Sequence, residues 1–197
     1  MTEVSEVAVA PTNGQQLAGV TRAEMEAFVA AAFEERDPRD PNMMTLIAWG
    51  GELDRIWPTT ILATTAASSG MDVAVFFTFW GLFALVRDGK RITGNNWMTR
   101  GLSLMNHPNA RHAGLSKLNM GGAGPKMMRR LAKKQGVASP EELLGMATDL
   151  GVKLWPCQMT MDLMGLKRED LIDGLSETVG AATAIERMRK SAVTLFI

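Results

Sequence analysis

The apolar run Val73–Val86 (VAVFFTFWGLFALV), bounded by Asp72 and Arg87, limits the fold more than any other segment. As a helix it would rise about 21 Å at about 1.5 Å per residue, short of a hydrocarbon core of about 30 Å. The run therefore has to be buried in protein. Val73, Val75, Phe76, Phe77 and Thr78 are strand formers, whereas Gly81, Leu82, Ala84 and Leu85 suit a turn into a short helix. A strand that is apolar at every position needs cover on both faces, as in a parallel sheet flanked by helices.

The rest of the chain repeats that logic. Met43–Trp49 is a second continuous apolar run, and Gly50 and Gly51 turn it into a helix over 52–69 that Gly70 ends. Strand, helix, strand in this order makes a parallel crossover. Later, Ser139 caps a helix from Pro140 to Leu150, which leads through Gly151 into the strand Val152–Trp155. A last helix over 177–190 leads to a terminal strand Val193–Ile197. With a short strand near Leu171, the expectation is a three-layer α/β/α sandwich on a mostly parallel sheet of four to five strands. The last strand puts the end of the sequence in the sheet, where a tag or deletion should be harmful.

With 197 residues, 46% hydrophobic and 21% charged, the chain has the composition of one globular domain with additions. Residues 1–20 read as a disordered leader without the basic and apolar pattern of an export signal. Within 21–40, Thr21 and Glu24 form a capping box for a helix to Arg36, with Met25, Phe28, Val29, Ala32 and Phe33 on one face. Residues 41–197 form the single α/β domain, with an insertion at 88–136 where strand and helix alternation lapses. Lys plus Arg equals Asp plus Glu at 21 each, which argues against a nucleic-acid partner. The balance is uneven, since residues 87–136 hold eleven bases against the one acid Asp88. Pro125 opens a helix in this block whose exposed face is expected to carry Arg129, Arg130, Lys133 and Lys134 as a partner-docking surface; a solvated face is the commoner role of such charges.

One cysteine excludes an internal disulfide and fits the cytoplasm. Cys157 follows the third long strand by one residue and precedes a short helix, at the strand rim where ligands bind in such folds. Helix amides there favour a thiolate, yet a small buried hydrophobe is an equally good reading. Fifteen methionines suggest core filler, with Met159, Met161 and Met164 expected to wall the thiol. The loop Asn119–Lys126 (NMGGAGPK) leads into a helix, and Gly121, Gly122 and Gly124 would let its backbone approach an anion. It matches neither common phosphate motif, and a hinge or tight turn is the more ordinary role. His107 and His112 with one cysteine fall short of a metal site, so neither metal nor cofactor is expected.

Phe76–Leu82 (FFTFWGL), Leu115–Met128 (LSKLNMGGAGPKMM), Pro156–Gly165 (PCQMTMDLMG) and the closing VTLFI together resemble the DsrE/DsrF/DsrH family, specifically its DsrE2-like branch, over about Met43–Ile197. The resemblance implies cytoplasmic homo-oligomers that relay sulfur through a cysteine-bound persulfide. It assigns the sulfur-bearing position to Cys157, the catalytic candidate. Gln158 and Thr160, and in the glycine loop Asn119, Gly121 and Gly122, are the substrate-binding candidates. Some relatives carry a second cysteine near Asn119–Gly122; here Met120 and glycines stand there, which argues against a two-thiol relay within one subunit. Implied partners are sulfur donors and acceptors, TusA-like or rhodanese-like carriers, or small anionic sulfur compounds such as thiosulfate. The competing expectation is a non-catalytic binding module that docks through 87–136 on a partner protein or, peripherally, on a membrane surface. A peroxide-reducing thiol protein lacks a resolving cysteine.

Overall fold

The computed structural model describes residues 21–27, 39–89 and 109–197, which fall in two units, 1–38 and 39–197. In the first unit residues 22–27 are helical, and Thr21 and Glu24 form the expected cap, with Thr21 N donating to Glu24 Oε2 at 2.8 Å. The expected leader over 1–20 and the helix beyond 27 lie outside the described residues, as do His107 and residues 90–108 of the insertion.

The second unit runs β1 (Asp40–Ala48), α1 (Leu53–Ser68), β2 (Asp72–Phe77), a 3₁₀ stretch Phe79–Leu85, α2 (Ala123–Lys134), α3 (Pro140–Asp149), β3 (Lys153–Pro156), α4 (Gln158–Met164), α5 (Ala181–Lys190) and β4 (Ser191–Phe196). All four strands pair parallel in the order β3-β2-β1-β4. The fold is the expected α/β sandwich, with the strand count at the low end. The short strand expected near Leu171 is a single antiparallel bridge to Val86.

Strand alternation sorts the core into two faces. Leu195, Leu46, Val75 and Leu154 are register partners across the sheet, and Leu46, Val75 and Leu154 join Met44, Val73 and Phe77 under α1 and α3. One residue further along, Phe196, Ile47, Phe76 and Trp155 form a row on the opposite face. There Ile47, Phe76 and Trp155 pack with Ala74, Cys157, Val179 and Ala184 of α5. Among the described residues, α5 is the helix that packs against this second face, whose cover is correspondingly thin.

The apolar run Val73–Val86 divides as expected. β2 enters the sheet, then Thr78 and Phe79 bend the chain into the 3₁₀ stretch, whose Gly81–Leu85 are buried. Gly81 N donates to Trp49 O at 3.0 Å, and a Cβ at Gly81 would collide with the Ala48 carbonyl. Gly81→Ala should therefore destabilise the fold by about 1–3 kcal/mol, as overpacking against a main chain does, read as a lower urea midpoint at unchanged slope.

Candidate functional site

Cys157 sits where β3 ends and α4 begins, with an extended backbone (φ −75°, ψ 116°) as the residue before the helix. Its N–H donates to Phe77 O at 3.0 Å, its carbonyl accepts from Met161 N at 3.0 Å, and it bridges in parallel to Val179. The turn is thus clamped to β2 on one side and to residues 176–179 on the other. The side chain is 1% exposed, packed with Ile47, Ala74, Phe76, Trp155, Val179 and Ala184. A reachable thiol was one of two sequence expectations; in this conformation Cys157 is enclosed by apolar neighbours.

The helix after it contributes less than expected. α4 is two turns long, and the amide of Gln158 is spent on Val179 O at 3.0 Å. Gln158 Nε2 donates to Asp162 Oδ1 at 2.8 Å, and the residue is exposed. Thr160 is buried, with its Oγ1 3.2 Å from Thr78 Oγ1 and accepting from Phe79 N at 3.1 Å. That bond holds Phe79 in a left-handed conformation, φ 47°, which costs a non-glycine residue about 1 kcal/mol or more. Thr160 therefore ties the end of β2 to α4. The methionines do not wall the thiol: Met161 and Met164 lie in the core under the other sheet face and Met159 is exposed. The chain crosses the sheet edge at Cys157, so α4 returns on the opposite face.

A cavity of about 590 Å³ opens beside this cluster, lined by the side chains of Trp49, Phe79, Trp80, Ile185, Met188 and Phe196 among others. Ile47, Phe76 and Ala184 belong both to its wall and to the packing around Cys157. Trp49 and Phe196 stack at 6.1 Å, and the Arg55 guanidinium lies 4.5 Å over Trp49. Sequence reading missed this groove. Its signal was present in that Trp49 and Phe196 stand at the ends of their apolar segments, but parallel register alone brings the two together.

At the amino ends of the strands a charged trio ties α5 down. Asp72 binds Lys153 Nζ at 3.0 Å and Arg187 Nη2 at 3.0 Å, and the Arg187 guanidinium lies 5.6 Å from the Trp155 ring. Burial pushes the Asp72 carboxyl up, but hydrogen bonds and charge from Lys153 and Arg187 outweigh it and hold it below the usual range.

The glycine loop lies apart from the cysteine. The N–H groups of Gly122 and Gly124 both donate to Asn119 O, at 2.7 and 3.3 Å, and Gly121 and Gly122 take positive φ of 63° and 92°. Two amides foreseen for an anion thus close a turn onto the start of α2, and neither the lining of the groove nor the cluster around Cys157 includes Asn119, Gly121 or Gly122. In the basic helix Arg129 is half-buried, donating to Ala110 O at 2.7 Å and lying 3.4 Å from Glu141 Oε1, whereas Arg130, Lys133 and Lys134 are exposed. No group of metal-binding side chains occurs among the described residues.

A parallel α/β sandwich with a lone cysteine at the carboxyl end of an edge strand defines the class of protein. The model of the DsrE/DsrF/DrsH-like family matches residues 40–196, and the chain belongs to that family. It is 38% identical over 157 residues to the sulfur carrier protein DsrE2 of Allochromatium vinosum, covering 78% of this chain and 97% of that one. It is also 35% identical over 153 residues to YrkE of Bacillus subtilis, covering 78% and 95%. The crystal structure of ychN from E. coli shares the fold at 14% identity, TM-score 0.50, over 79% of this chain and 99% of that one. No helix among the described residues is long and apolar enough to cross a membrane.

Two tests follow from this geometry. Thr160→Val, close in shape, leaves the Phe79 amide without a partner and should cost about 1–3 kcal/mol in chemical denaturation. Because the folded pKa of Asp72 is lowered, its contribution to stability is complete above the unfolded value of about 3.9 and is lost as pH falls through the folded value. Asp72→Asn should flatten the loss of stability below about pH 4, measured by thermal melts across pH.

Proposed function

We propose that the protein is a cytoplasmic sulfur carrier that takes up sulfane sulfur on Cys157 as a persulfide and yields it to an acceptor thiol. The observation that carries this reading is the position of the chain's one cysteine at the β3 rim, in a chain 38% identical to a sulfur carrier protein. In loading, the Cys157 thiolate attacks the outer sulfur of a donor R–S–SH or the sulfane sulfur of thiosulfate; a new S–S bond forms, the donor's S–S bond breaks, and R–S⁻, or sulfite in the case of thiosulfate, leaves. In unloading, an acceptor thiolate attacks the outer sulfur of Cys157–S–SH and Cys157 departs as thiolate. Neither step needs an external oxidant, and one sulfur moves per encounter, as in a carrier or a sulfurtransferase component.

Loading requires Cys157 to be uncovered. The groove adjoins its packing through Ile47, Phe76 and Ala184, so an outward shift of α5 or of residues 176–180 would open a path to the sulfur. A resting cover of apolar side chains also suits a stored persulfide, which water-borne thiols would otherwise strip. Donors and acceptors are TusA-like or rhodanese-like carriers or small anions such as thiosulfate, attracted by Arg130, Lys133 and Lys134, with Arg129 bracing the helix that carries them. The protein works as a homo-oligomer.

Burial of Cys157 favours a second reading, in which the thiol is packing and the protein is a binding module that docks through its basic segment on a partner or, peripherally, on a membrane surface. One experiment separates them. Intact-mass measurement after incubation with glutathione persulfide or thiosulfate should show a gain of one sulfur atom, removed by dithiothreitol and absent in Cys157→Ser. An unmodified wild-type protein, or equal loading of Cys157→Ser, overturns the carrier reading. Transfer between the loaded protein and an acidic acceptor should slow with added salt.

A further inference from the structure

The two edges of the sheet are treated differently. β3 is short, ends in Pro156, and is covered from outside by its own chain: Ser176 N donates to Leu154 O, Val179 N to Pro156 O and Gln158 N to Val179 O, all at 3.0–3.1 Å. These are the usual protections of an edge. β4, at the other end of the order, has none of them among the described residues. Its residues 192–196 carry neither charge nor proline and are all exposed, Phe196 at 69%.

The hydrogen-bond phase of β4 defines what fits there. Ile197 makes both its bonds to β1, N to Ile47 O at 2.9 Å and O from Trp49 N at 3.0 Å. Alternation then turns Leu195 and Val193 toward β1 and leaves the main chains of Ala192, Thr194 and Phe196 facing outward. A two-fold axis through Thr194 places Ala192 opposite Phe196, Thr194 opposite Thr194 and Phe196 opposite Ala192. In this register every outward donor and acceptor of the strand finds a partner. Side chains agree as well: the small Ala192 stands beside the Phe196 ring, Val193 beside Leu195, and hydroxyl beside hydroxyl at the centre, with no like charges opposed. A shift of the axis to Val193 would set Phe196 against Lys190.

We propose that two copies of this chain join edge to edge through β4, antiparallel and centred on Thr194, into one continuous eight-stranded sheet. The proposal specifies the contact for the self-association named above and rests on that part of the reading alone; mass and sulfur loading are measured separately, so failure of one leaves the other standing. The interface extends the second sheet face, because Phe196 belongs both to the strand edge and to the groove beside the cysteine cluster.

Light scattering coupled to size exclusion should find wild-type protein as a dimer or a larger even-numbered assembly. Thr194→Lys, which opposes two cations at the axis, should halve that mass while keeping the wild-type circular dichroism spectrum. In a Cys157→Ser background, Thr194→Cys should form an intermolecular disulfide under mild oxidation, since facing residues of a hydrogen-bonded antiparallel pair lie about 5.5 Å apart between Cα atoms, within disulfide range. Ala182→Cys, exposed on α5, should stay reduced. A monomeric or odd-numbered wild type, an unchanged mass for Thr194→Lys, or a Thr194→Cys protein that crosslinks no better than Ala182→Cys overturns the proposal; the crosslink decides the matter should Thr194→Lys fail to fold.

Discussion

Everything in this molecule hangs on a parallel sheet whose central strands are buried on both faces. Parallel neighbours need a covered crossover, and β1 and β2 carry apolar side chains at successive positions, so helices have to lie above and below them. α1 and α3 close one face over Leu46, Val75 and Leu154. α5 closes the other more sparingly over Ile47, Phe76 and Trp155, and that imbalance accounts for the groove and for the thin cover of the candidate sulfur site.

The two-residue period of the strands also governs the cysteine. Trp155 and Cys157 are two apart and share a face, while α4, starting one residue later, turns back beneath the other. Cys157 consequently joins a small apolar cluster with Val179 and Ala184 as its cover. In the proposed carrier such burial would separate storage from exchange, with the sulfur shielded until the cover is moved aside. Thr160, clasping Thr78 and Phe79, ties this turn to the end of β2, so in the proposed exchange motion would fall to α5 and residues 176–180.

Charge in the basic block divides between structure and surface. Arg87 binds Asp173 and the Leu171 carbonyl, Arg111 pairs with Asp88, and Arg129 braces α2 against Ala110 and Glu141. Arg130, Lys133 and Lys134 project into solvent. A linear count of eleven bases thus overstates the field offered to a partner, because a guanidinium with five donors serves as readily to tie loops together.

Local pattern alone determined the strands, the main helices, the α/β class and the cysteine at a strand rim, because hydrophobic period, glycine stops and the Ser139 and Thr21 caps act between residues close in the chain. The family resemblance was legible in the same motifs. Tertiary structure decided which side chains meet. Burial of Cys157, the diversion of Gln158 and Thr160 to Asp162 and Thr78, the turn closed by Asn119, and the pairing of Trp49 with Phe196 all depend on contacts between distant segments. Strand order and face set those contacts, and a period of two residues says only that neighbours point to opposite sides, leaving open which helix covers each.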